Sequence, residues 1–124
     1  MPATTKITTL KKRSDFLAAA VSGRKWVAPG FILQIGKPLE SPLALPSPVR
    51  FGLTASSKVG NAVARNRARR RLRALAHEIL ATHADPACAY VLVARKDATA
   101  SRAYAAMRDD MEKALRRFGL WRSA

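Results

Sequence analysis

Residues 58–73 read KVGNAVARNRARRRLR, and the rest of the chain is best interpreted outward from this stretch. It holds seven of the chain's 23 lysines and arginines, and six of the seven are arginines within residues 65–73. No Asp or Glu occurs from Ser41 to His77. Arginine presents a planar, permanently charged set of donors that fits phosphate oxygens in pairs. Because so dense a run of positive charge repels itself unless a polyanion neutralises it, the pattern predicts a nucleic-acid partner.

An apolar stripe runs through the same stretch at helical spacing. Its members step by four, four, three and four: Ala64, Ala68, Leu72, Leu75 and Ile79. The stretch is therefore expected to be a helix packed on a core, with Asn61 as its N-cap and a start near Ala62. Arg65, Arg69 and Arg73 recur every four residues and form one ridge. A solvated basic face kept for solubility is the competing interpretation.

Length and charge indicate one domain that works beside a polyanion. The chain has 124 residues and a net charge of +15, which would destabilise a compact state on its own. An anionic membrane is the competing partner, but no stretch approaches the roughly 18 apolar residues of a spanning helix. We therefore predict no membrane partner and a cytoplasmic location. The single cysteine, Cys88, lies in an apolar run and is predicted to be a buried hydrophobic residue.

The remaining periodicities predict an α+β fold, a small mixed sheet packed by helices in the order α-β-β-α-β-α. The predicted helices cover residues 15–22, residues 62 to about 82, and a last segment capped by Ser101 or Thr99; the predicted strands cover residues 31–35, 49–56 and 88–94. Residues 1–9 are expected to be a mobile tail, and Trp26 to lie in a connection. Residues 36–48 carry four prolines and are expected to form a loop between two strands.

The sequence offers no set of residues suited to protein-based catalysis, which needs clustered carboxylates or a positioned base. The nearest approach to a cluster is Asp109, Asp110 and Glu112, which is expected to be a solvated face of the last helix. His77 and His83 are six residues apart, a spacing that places them on different faces of one helix and not around a metal. A protein-only nuclease is therefore disfavoured.

The arginine-rich stretch, with its Arg65-Asn66-Arg67 core, resembles the RNR motif of the protein subunit of bacterial ribonuclease P. Further segments resemble that family in the same order: residues 10–16, 31–33, 50–58 and 90–95. The resemblance implies a single ribonuclease P protein domain over residues 1–124, with the ribonuclease P protein fold. The family is known for a left-handed β-α-β crossover, where the general rule favours a right-handed one.

The resemblance implies a non-catalytic subunit of a ribonucleoprotein enzyme. In that family the RNA subunit is the catalyst and holds the magnesium ions, while the protein supports RNA folding and magnesium binding. The implied partners are the ribonuclease P RNA subunit and the 5′ leader of precursor tRNA. The residues that match the RNA-binding motif are Lys58, Arg65, Asn66, Arg67, Arg69, Arg70, Arg71 and Arg73. No catalytic residue and no protein-bound metal is implied.

A second surface in the family is a cleft between the N-terminal helix and the sheet, which receives the single-stranded leader. Phe16, Ile32 and Gln34 match positions of that cleft, although Phe16 also suits the core. Family members often carry aromatic residues where this chain has Ala20 and Gln34. Since stacking is worth about 1–3 kcal/mol per base, weaker leader contacts are implied. A ribosomal or other structural RNA-binding protein is the alternative function.

Overall fold

A mixed five-stranded β-sheet with helices against one of its faces forms the fold. The computed structural model describes residues 7–9, 24–36, 49–85 and 88–122. The strands are β1 (Ile7–Thr9), β2 (Arg24–Val27), β3 (Phe31–Ile35), β4 (Val49–Thr54) and β5 (Ala89–Ala94), in the spatial order β1-β4-β5-β3-β2. The helices are α1 (Ala62–Leu75), α2 (Ala81–His83), α3 (Ala98–Ser101) and α4 (Tyr104–Arg117). The predicted α+β class with a small mixed sheet is confirmed.

Alternation along the strands separates a core face of the sheet from a second face. In β3, Phe31, Leu33 and Ile35 are fully buried, whereas Ile32 and Gln34 are half-buried and point the other way, as predicted. The core face is covered by α1 and α4, which contribute Leu72, Leu75, Met107, Met111 and Leu115. The central strand β5 is buried along most of its length, which explains why its sequence is almost continuously apolar.

The arginine-rich helix begins where the sequence predicts. Asn61 Oδ1 accepts a hydrogen bond from Ala64 N at 2.9 Å, and Ala68, Leu72 and Leu75 are fully buried. After Leu75 the chain makes a π-helical turn, Ala76–Leu80, and continues as α2. Gly60 sits before this helix with φ of 142°, a conformation that side-chain-bearing residues rarely adopt. The helix connects β4 to β5, which pair in parallel.

The number of strands predicted from the sequence is wrong, because two short strands were missed. In β2, Trp26 pairs with Leu33 of β3 in an antiparallel register, so Trp26 does not lie in a connection. β1 pairs in parallel with β4, so the prediction of a mobile tail is wrong for Ile7–Thr9. Each segment is too short to show a period and becomes a strand through its neighbour. The predicted helix over residues 15–22, with Phe16, and residues 37–48 of the proline loop lie outside the described residues.

The predicted last helix is two helices, α3 and α4, and the predicted side-chain cap is wrong. α4 begins at Tyr104 without a side-chain cap. Thr99 is fully buried instead: its Oγ1 accepts from Arg95 N at 2.7 Å and donates to Gly30 O at 2.6 Å. A Cβ on Gly30 would lie 3.0 Å from Arg102 Cδ, so this close approach suits glycine. Thr99 therefore links α3 to the connection between β2 and β3.

Candidate nucleic-acid interface

The side of α1 opposite its buried stripe carries a dense group of positive charges, which we call the arginine face. It comprises Arg65, Asn66, Arg67, Arg69, Arg70 and Arg73 of α1, together with Lys58 in the turn before the helix. Arg65 and Arg69 are half-buried and the other members are exposed. Because the apolar stripe fixes the rotation of α1 on the sheet, these side chains are held on one surface of the protein.

The charge of the arginine face is not neutralised within the described part of the chain. The ion pairs seen there involve Arg102, Arg108 and Arg116, none of which belongs to this face. Arg69 donates to two neutral acceptors, Asn66 Oδ1 at 3.3 Å and Ala55 O at 3.5 Å. Six like charges on one surface without carboxylate partners give that surface a strongly positive potential.

Arg71 differs from the other arginines of the motif, because it is used inside the fold. Its Nη1 donates to Thr99 O at 3.1 Å and to Ala100 O at 2.6 Å, and its Nη2 donates to Arg102 O at 2.5 Å. These carbonyls lie around the C-terminal end of α3, where a helix leaves acceptors without partners. Arg71 thus fastens α3 to α1. The RNA-binding role of Arg71 stays a prediction, and because its donors are used inside the fold we leave it out of the arginine face.

The second face of the sheet carries the cleft residues predicted on β3. Ile32 and Gln34 lie there half-buried, and β2 places Val27 opposite Ile32 and Lys25 opposite Gln34. Val27 is 55% exposed and offers apolar surface on this face of the sheet. The sequence reasoning missed Lys25 and Val27 because it missed β2. The four residues of β2, RKWV, have no alternation of polar and apolar side chains that could have revealed the strand. Phe16, the third predicted cleft residue, lies outside the described residues.

The acidic residues of α4 do not form one solvated face. Asp110 is only 8% exposed, and its carboxylate accepts from Arg102 Nε at 2.8 Å and Nη2 at 3.3 Å. The prediction of a solvated face is therefore wrong for Asp110, which neutralises a cation in the turn that precedes α4. Glu112 pairs with Arg116 at 3.0 Å along the helix surface. Across the described segments, no three His, Cys, Asp or Glu residues lie close enough together to hold a metal ion.

The two histidines also have local partners. His77 is exposed and makes an edge contact with Phe51, with ring centroids 5.7 Å apart. His83 stacks on Trp121 at 4.0 Å, and its Nδ1 lies 2.8 Å from Arg122 O. No helix in the described part of the chain is long and apolar enough to cross a membrane.

A cavity of about 490 Å³ lies between α1 and the start of α4, beside the arginine face. It is lined by Arg67, Arg70, Arg71, Ala74 and Tyr104. The Tyr104 hydroxyl donates to Glu78 Oε2 at 2.7 Å. Burial, together with this hydrogen bond, raises the pKa of Tyr104 to about 12, so the phenol is neutral at physiological pH.

Comparisons of the sequence with known proteins all indicate one family. The family model described as Ribonuclease P matches residues 5–119. The "Ribonuclease P protein component" of Paramagnetospirillum magneticum is 46% identical over 110 residues, which cover 89% of this chain and 81% of that protein. The protein of the same name from Ruegeria pomeroyi is 44% identical over 115 residues, covering 93% and 89% of the two chains.

Solved structures share the fold at lower sequence identity. The RNase P protein of Staphylococcus aureus superposes with a TM-score of 0.68 at 22% identity, covering 91% of this chain and 96% of that one. The RNase P protein of Thermotoga maritima gives a TM-score of 0.69 at 19% identity, covering 89% and 96%. The family model, the close relatives and the fold indicate the same family along nearly the whole chain, including the arginine-rich helix. The chain belongs to the ribonuclease P protein family.

Proposed function

We propose that the arginine face of α1 binds the RNA subunit of ribonuclease P and that the second face of the sheet binds the 5′ leader of precursor tRNA. As a ribonuclease P protein, the chain is the RNA-binding component of a ribonucleoprotein endoribonuclease whose catalyst is RNA. It assists that RNA in removing the 5′ leader from precursor tRNA. The comparisons give no support to the alternative of a ribosomal protein.

The observation that carries the proposal is the uncompensated charge of the arginine face. Five of its six cations lie on α1 and Lys58 lies in the turn before it, and none of the six has a carboxylate partner within the described residues. Keeping them together costs free energy in the isolated protein, and RNA phosphates remove that cost. Arginine also binds phosphate through two parallel hydrogen bonds, which orients the RNA as well as attracting it.

The proposal for the leader rests on the mixed character of the second sheet face. Exposed Val27 and half-buried Ile32 offer apolar contact to bases, and Lys25 supplies a cation beside Gln34. Among the described strands this face has no aromatic side chain, so the contact that these strands offer to bases is apolar rather than stacked. Phe16 belongs to the proposed site as its aromatic member.

We propose further that magnesium is held by the RNA subunit and that the protein affects it through charge. Cations of the arginine face reduce the repulsion between RNA phosphates that converge near the cleavage site. The RNA can then adopt its magnesium-binding arrangement at a lower magnesium concentration. The assembly would work in the cytoplasm, on single-stranded leaders that extend from newly made precursor tRNA.

The test is the salt dependence of binding to the RNA subunit. Six neutralised phosphates predict a slope of about −4 to −5 for log affinity against log salt concentration. Replacing the exposed residues Arg67 and Arg73 together by Ala should lower the magnitude of the slope by about 1.5 to 2 and weaken binding. The matched control, Arg117→Ala with Arg122→Ala, removes the same charge from exposed positions outside the arginine face. A slope near zero for the unmodified protein, or equal losses in both double variants, would contradict the proposal.

A further inference from the structure

The cavity between α1 and the start of α4 has the dimensions and lining of a binding site. Its volume of about 490 Å³ lies in the range of small-molecule sites, roughly 300–1,000 Å³. One nucleotide fits a space of this volume. Three of its five lining residues are arginines, and the fourth residue from α1 is the small Ala74, which leaves room beside the helix.

Tyr104 supplies a fixed aromatic wall. Its hydroxyl donates to Glu78 Oε2 at 2.7 Å, and Glu78 Oε1 accepts from Arg108 Nε at 3.0 Å. One part of the ring packs on the hydrophobic core, and the rest lines the cavity. Because Arg108 neutralises Glu78 and the phenol stays protonated, this wall presents no net negative charge to a nucleic acid. A neutral, immobilised aromatic ring beside cations is the surface on which unpaired bases stack.

Two of the cavity's arginines are available to a ligand. Arg67 and Arg70 are exposed, and within the described segments neither makes a hydrogen bond or ion pair through its side chain. Arg71 is different, because its donors are bound to the carbonyls of Thr99, Ala100 and Arg102. The cavity therefore combines a rigid floor at Arg71, an aromatic wall and two mobile guanidinium groups that can bind a phosphate.

We propose that this cavity binds one unpaired nucleotide of the RNA subunit, with its base against Tyr104 and its phosphate on Arg67 and Arg70. This inference rests on the function proposed above. The RNA subunit is favoured over precursor tRNA because Arg67 and Arg70 also belong to the arginine face, so the bound nucleotide is continuous with the RNA held there. The site adds base stacking to a surface that otherwise binds only the RNA backbone.

Affinity of the full-length protein for the transcribed RNA subunit tests the stacking. Tyr104→Ala and Tyr104→Leu should each weaken binding by about fivefold or more, since both remove the aromatic ring. The salt slope should stay unchanged, because no phosphate contact is lost. Tyr104→Phe keeps the ring and loses only the bond to Glu78, so its affinity should stay within about twofold of the unmodified protein. Tyr104→Leu keeps an apolar side chain against the core. It therefore replaces Tyr104→Ala in the affinity measurement if Tyr104→Ala does not fold.

Acylation of RNA 2′-hydroxyl groups, read at every nucleotide, tests the location. One unpaired nucleotide of the RNA subunit should lose reactivity on binding the unmodified protein or Tyr104→Phe, and regain it with Tyr104→Leu. Identical maps and affinities for Tyr104→Leu and the unmodified protein would overturn the inference while leaving the proposed function intact. Protection that arises only after precursor tRNA is added would overturn the choice of the RNA subunit. Failure of the unmodified protein to bind RNA with a steep salt slope would instead refute the proposed function.

Discussion

Replacing Arg71 should destabilise the protein, whereas replacing its neighbour Arg70 should not. Arg71 makes three hydrogen bonds to backbone carbonyls, and a bond from a charged donor contributes about 1.5–3 kcal/mol. Arg71 is half-buried, so in the variant water can donate hydrogen bonds to some of the carbonyls that Arg71 served and offset part of the lost stability. We therefore expect Arg71→Ala to lower the free energy of unfolding by about 3 kcal/mol. For a domain of this size, that corresponds to a fall in Tm of about 10 °C.

The matched control is Arg70→Ala, which removes the same charge from the next residue of the same helix. Arg70 is exposed and has no hydrogen-bond partner within the described residues, so its stability change should stay within about 0.5 kcal/mol. Thermal unfolding followed by circular dichroism, with urea titration at 25 °C, measures both variants. RNA affinity should show the opposite order, with Arg70→Ala weakened more than Arg71→Ala at temperatures where both are folded. Equal Tm values for the two variants, with a greater loss of RNA affinity for Arg71→Ala, would refute the structural role.

Two further predictions concern Tyr104 and the acidic residues of α4. The folded-state pKa of Tyr104 is raised from 10.0 to about 12, so its stabilisation is present below pH 10 and is lost as pH rises toward 12. Urea unfolding should accordingly show the stability difference between the unmodified protein and Tyr104→Phe shrinking across that window, and a constant difference would argue against it. Asp109→Ala and Glu112→Ala should each leave maximal single-turnover cleavage by reconstituted holoenzyme within about tenfold. A loss of a hundredfold or more in a variant that folds and binds RNA would place a catalytic group on the protein.

The sequence predicted elements that rest on local signals. The start of α1 follows from the capping geometry of Asn61, and its rotation follows from Ala68, Leu72 and Leu75, all within a few turns. The strands β3, β4 and β5 are long enough to show their composition or alternation. The two missed strands depend on pairing: the Arg24–Val27 segment carries two cations and gains its structure from β3.

The site was predicted in part, for a similar reason. The charge of the arginine face is visible in the sequence, because it depends only on residue type and helical spacing. The role of Arg71 is not visible, because its acceptors lie 28 to 31 residues further along the chain. Asp110 likewise looked like its exposed neighbours until the turn before α4 brought Arg102 to it. The cavity beside Tyr104 exists only once α4 is docked against α1.

The position of β1 has a consequence for how the chain folds. Ile7 pairs with Val49, about forty residues later, whereas β2 and β3 are joined by a short connection. Closing a loop of this length costs conformational entropy before the pairing of β1 with β4 can offset that cost. We therefore expect β1 to join a sheet that has already formed. Until then β4 presents an unpaired edge, which can pair with the same edge of another molecule. Refolding yield should therefore fall as protein concentration rises, and the six positive charges of the arginine face would limit that loss by keeping molecules apart.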